Sequence, residues 1–81
     1  MNTASKAKLD EAIGKAEVEL EGKNRKFEKL RFKLESNIAQ DKVMKSLVIA
    51  KKMAKVFAEM VSLLDQIGEY KDTRRELENA E

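Results

Sequence analysis

Read from the amino terminus, the apolar residues of the first half recur at helical spacing. Leu9, Ile13, Ala16, Leu20, Phe27, Leu30 and Leu34 step by four and three, and Lys23 fills the one polar slot in the series. On a helical wheel they fall within an arc of about 100°, a stripe wide enough for one neighbouring helix. Glu17, Glu21, Arg25, Glu28 and Lys29 lie on the opposite side, and Val18 and Phe32 sit off the stripe.

The second half carries two seams. One reads Val43, Leu47, Ala50, Ala54, Phe57, Val61, Leu64; the other reads Ile49, Met53, Val56, Met60, Leu63, Ile67, Tyr70. Side by side they cover roughly 220° of the cylinder, about twice the usual arc of a surface helix. The remaining strip holds Lys51, Lys55, Glu59, Ser62, Gln66 and Glu69, with Val48 stranded among them.

The two halves are out of phase. Carrying the first register forward would put Lys51, Lys55 and Ser62 on the core line. A turn within residues 36–42 resolves the conflict, because Asn37 and Asp41 interrupt the core line there. A stutter inside one continuous helix is the alternative. Asp41 is the expected N-cap of the second helix. A break at Gly22 would instead give three helices, but the register runs unbroken from Leu20 to Phe27, which favours one. A glycine in a helix interior costs at most about 1 kcal/mol.

The predicted fold is therefore all-α: a single domain, a coiled-coil-like antiparallel two-helix hairpin that dimerises into a four-helix bundle. Helix 1 spans about residues 4–36, the turn about 37–41 and helix 2 about 41–79, with a tail at 71–81 expected to fray after Gly68.

A partner follows from the double seam. Helix 1 can cover one seam of helix 2, which leaves the other in water. The seam assigned to a partner is Ile49, Met53, Val56, Met60, Leu63, Ile67 and Tyr70. At about 1.5–3 kcal/mol for each large side chain, leaving it wet forgoes on the order of 10–20 kcal/mol, an upper bound. That rivals the whole stability of a small domain, about 5–15 kcal/mol. Self-association is the simplest remedy, and another protein's helix would fill the same groove. Met53 and Met60 read as core residues at helical spacing rather than as an adaptable binding face.

Charge adds a direction. The formal net charge is only +2. Yet residues 23–55 hold eleven basic and three acidic side chains, a net +8, and the two outer segments together carry −6. Folding back at the turn gathers the basic stretches at one end and the acidic stretches at the other. An antiparallel dimer would lay opposite charges together. The basic end would alternatively contact nucleic-acid phosphates through Arg25, Lys29, Arg31, Lys52 and Lys55. Arg25, Arg31 and Asn24 would be nearby forks and Phe32 a nearby ring for bases, a weak signal that predicts salt-sensitive, sequence-indifferent binding. A solvated surface without a charged partner is the third reading.

The 81 residues include no cysteine, histidine, proline or tryptophan, which excludes a disulfide framework, a Cys/His zinc site and imidazole chemistry. The carboxylate pairs Glu17/Glu21 and Asp72/Glu76 lack the inward Glu-x-x-His partners of a bundle metal site. Three dispersed glycines make no phosphate loop. No cofactor and no catalytic activity are expected. The longest apolar stretch is interrupted by lysines, so no membrane contact is expected, and the polar first residues give no sign of a signal peptide. A cytoplasmic location is the default expectation. The layout resembles helical-hairpin proteins in general, among them small RNA-binding hairpin dimers and short secretion co-chaperones, with no motif behind the likeness. The expected function is a small helical interaction module (adaptor, chaperone or regulator) that pairs with itself, with a partner helix, or with both. The alternative is a dimeric nucleic-acid-binding protein.

Overall fold

The computed structural model of the chain describes residues 2–80, and the surroundings of side chains from residue 4 onward. The fold is the expected all-α hairpin, with helices α1 (Asn2–Ala39) and α2 (Val43–Ala80) of 38 residues each. They lie antiparallel in a narrow rod of 60 × 14 × 12 Å. A rise of about 1.5 Å per residue makes each helix the full length of that rod.

Both helices outrun their expected ends. α1 passes through Gly22 without a break, and no glycine in the described residues has a positive φ. Gly68 does not loosen α2 either: the segment expected to fray is helical as far as Ala80, and residue 81 lies outside the described residues.

The turn differs from expectation in its chemistry. Asp41 does not cap α2; it terminates α1. Its φ is 56°, in the left-handed region that an aspartate tolerates better than most residues. The Lys42 amide donates to the Asn37 carbonyl at 2.8 Å, and the Asp41 amide donates to the Ile38 carbonyl at 3.0 Å. These two bonds form a Schellman cap, which satisfies carbonyls that the end of α1 would otherwise leave open. Lys42 serves as the N-cap of α2: its carbonyl accepts from the Ser46 amide at 3.0 Å and from the Ser46 hydroxyl at 2.7 Å.

The core is one narrow layer between the helices. Ile13, Ala16 and Leu30 of α1 are buried against α2, and Val56, Leu63 and Ile67 of α2 against α1. Ile13, Ala16, Leu63 and Ile67 form its centre, with Leu20 and Tyr70 packed against them. The Tyr70 ring stays half-buried and its hydroxyl accepts from the Gln66 amide at 2.7 Å, so the polar tip is served without leaving the seam.

Ion pairs between described residues cross from one helix to the other at two places. Lys23, the polar interruption in the α1 stripe, meets Glu59 of α2, and Arg74 meets Asp10 at 3.0 Å. The Lys23 hydrogen bond holds the Glu59 carboxyl below its ordinary value of 4.5, and that bond with the attraction of Glu59 raises the Lys23 ammonium above 10.5. The stabilising contribution of Glu59 is full above its ordinary carboxylate value and disappears as pH falls through the lowered one. That of Lys23 is full below 10.5 and disappears as pH climbs through its raised value. Thermal melts should therefore show Glu59→Gln losing less stability than the wild type between pH 5.5 and pH 3. Equal losses would show that the pair does not couple folding to protons.

Candidate interaction surface

The structure exchanges the roles of the two seams of α2. The residues expected to await a partner form the inside of the hairpin. Val56, Leu63 and Ile67 are 3%, 8% and 6% exposed, and Ile49, Met53, Met60 and Tyr70 are half-buried along α1. The other seam is in water: Val43 is 67% exposed, Leu47 52%, Phe57 57%, Val61 42% and Leu64 55%, with Ala50 and Ala54 also open.

Length and charge explain the exchange. The α1 stripe begins at Leu9 and needs an apolar counterpart reaching far along α2. The inner seam provides one, continuing through Ile67 and Tyr70 to the half-buried Leu77. The outer seam stops at Leu64, and its next positions are Gly68, Lys71 and Arg75. Packed on that seam, Leu9 and Ile13 would have faced glycine and cations. Lys23 would have met Phe57 or Val61, whereas the inner seam offers Glu59 at its edge. Leu77 and Lys23 were the signals in the sequence that distinguished the seams.

The exposed seam belongs to a wider face. Ile38 is 59% exposed, and it joins Leu34, Val43, Leu47 and Ala50 around an open hollow of about 410 Å³ beside the turn. Farther along, Phe27, Leu34, Ala50, Ala54 and Phe57 line a second stretch. The Phe27 and Phe57 rings lie 6.3 Å apart at 47°, a tilted contact that holds the outer ring in place. The face ends near Leu20, Met60 and Leu64, where Glu17, Glu21 and Asn24 form the border. Monomeric proteins rarely leave a contiguous apolar strip of this kind in water.

The residues expected to contact nucleic acid differ in their surroundings. Arg25 donates to Glu21 at 2.7 Å, and Arg31 is paired with Glu28 at 2.8 Å and lies 4.0 Å from Glu35. Lys55 stands beside Glu59 and contributes to its lowered pKa. Lys29 is exposed. Lys52 instead joins Lys33 and Lys45 around Asn37, Met44 and Val48, on the opposite side of the turn end. Val18 and Phe32 are 70% and 66% exposed on α1, and neither lines the apolar face.

Among the described residues there is no group of three or more His, Cys, Asp or Glu side chains able to hold a metal, and no helix long and apolar enough to cross a membrane. Comparison of the chain with protein-family models, curated proteins and solved structures returns no match.

Proposed function

We propose that this protein is a non-catalytic helical interaction module that self-associates through the exposed face of α2, two hairpins forming a four-helix bundle. The observation that carries this reading is the unbroken outer seam, whose large side chains each keep 42–67% of their surface in water. Covering the exposed half of five such side chains returns about 4–8 kcal/mol per copy. The hairpin's own stability is of similar size, about 4–12 kcal/mol for a chain of this length. Association is thus a contribution to folding as well as a recognition event.

A second reading uses the other side of the turn end. Lys33, Lys45 and Lys52 surround one hollow there, and among the described residues none of them makes an ion pair. Nucleic-acid phosphates suit such a cluster, and binding would be salt-sensitive and indifferent to sequence. The arginine forks that read bases are already engaged by neighbouring carboxylates, which favours the protein–protein reading.

Native mass by light scattering, with and without a short DNA duplex, separates the readings. The expected result at about 100 µM protein is twice the 9.2 kDa chain mass, unchanged by duplex at moderate salt. A 9.2 kDa species at that concentration would overturn self-association. A mass that rises only with duplex and collapses with added salt would establish the second reading.

A further inference from the structure

The outer seam is self-complementary in one orientation. Resting on the self-association proposed above, we infer that two copies pair antiparallel through α2, about a two-fold axis passing at Ala54. The sizes along the seam carry the argument. When the seam is laid against its own reverse about Ala54, Val43 faces Leu64 of the second copy and Leu47 faces Val61. Ala50 then faces Phe57, twice by symmetry, and Ala54 faces itself. The largest side chain meets a small one, and the ring is already held from behind by Phe27. Parallel pairing in register sets Phe57 on Phe57, next to two layers of alanine on alanine. A crowded layer beside two underfilled ones is poor packing on both counts.

Charge selects the same orientation. Lys42 borders the Val43 end of the seam, and Asp65 and Glu17 border the Leu64 end. Among the described residues none of these three makes an ion pair within its own chain. Antiparallel pairing brings Lys42 of each copy to the carboxylates of the other, whereas parallel pairing sets lysine beside lysine and aspartate beside aspartate. The hairpin's polarity reinforces this, since the lysine-rich turn end of one copy overlies the acidic flank of the other.

The chain contains no cysteine, so cross-linking can be read without background. Val43→Cys and Leu64→Cys are made singly, both at exposed positions that leave the inner core untouched. Each is treated alone with a short bis-maleimide, and then the two are refolded together and treated as a mixture. Light scattering checks that each remains a dimer. The antiparallel pair predicts covalent dimer from the mixture at about tenfold or more the yield of either variant alone. Efficient cross-linking of either variant by itself, or a dimer that cross-links in no combination, overturns the orientation and leaves self-association standing. A monomeric mass overturns self-association and the inference with it.

Discussion

Leu63→Ala should remove a large part of the hairpin's stability, and its neighbour Leu64→Ala should not. Leu63 is 8% exposed and lies among Ile13, Ala16 and Ile67, in a layer only one side chain deep. Truncating a buried leucine costs about 2–5 kcal/mol, from lost transfer free energy and the cavity left behind. Against about 4–12 kcal/mol for the whole chain, that lowers the melting temperature by about 10 °C or more. Leu64 is 55% exposed, so within one hairpin its truncation forgoes little. Its cost should appear in the dimer, and should therefore shrink as the protein is diluted below the dissociation constant. The Leu63 cost should persist at every concentration. Thermal melts of both variants across a dilution series test the contrast, and equal, concentration-independent losses would show that the seams are not divided as described.

Phe57→Glu should abolish the dimer while leaving a helical hairpin. It places a charge at the centre of the exposed face, once in each copy. A charge buried without a partner is among the costliest changes an interface can suffer, and central aromatic residues carry much of the binding free energy. The dimer should weaken by about a thousandfold or more, an effect of roughly 4 kcal/mol. Within the hairpin the loss is smaller: one tilted contact with Phe27, worth about 0.5–1.5 kcal/mol. Far-UV circular dichroism should therefore stay helical as the mass by light scattering falls to that of one chain. Phe32→Glu is the control, because Phe32 is 66% exposed but lies off the face. It should leave the mass unchanged. A Phe57→Glu protein that remains a dimer would place the interface elsewhere.

The two expectations use the same chemistry in adjacent positions, and they differ because α2 is apolar over more of its circumference than α1 can cover. That surplus is legible in the sequence, since it depends only on spacing within one helix. So are the helical fold, the absence of a break at Gly22 and the turn near residue 40, where the register of the first half meets that of the second. The chemistry of the turn is less legible. Aspartate commonly begins a helix, and nothing local to Asp41 distinguishes that use from the left-handed cap that ends α1. The side of the hairpin on which the basic residues gather is also settled by packing, because the rotation of each helix depends on the seam it turns inward.

By itself, then, the sequence determined two amphipathic helices, their antiparallel return and an apolar surface that one chain leaves uncovered, because each follows from periodicity and from local breaks in it. Only the tertiary structure decided that Ile49–Tyr70 faces inward and Val43–Leu64 outward. The physical reason is that two equally apolar seams compete for one stripe, and the choice between them is made at distant points of contact: Leu9 and Ile13 require an apolar partner as far along α2 as Leu77, Lys23 requires Glu59, and Asp10 requires Arg74.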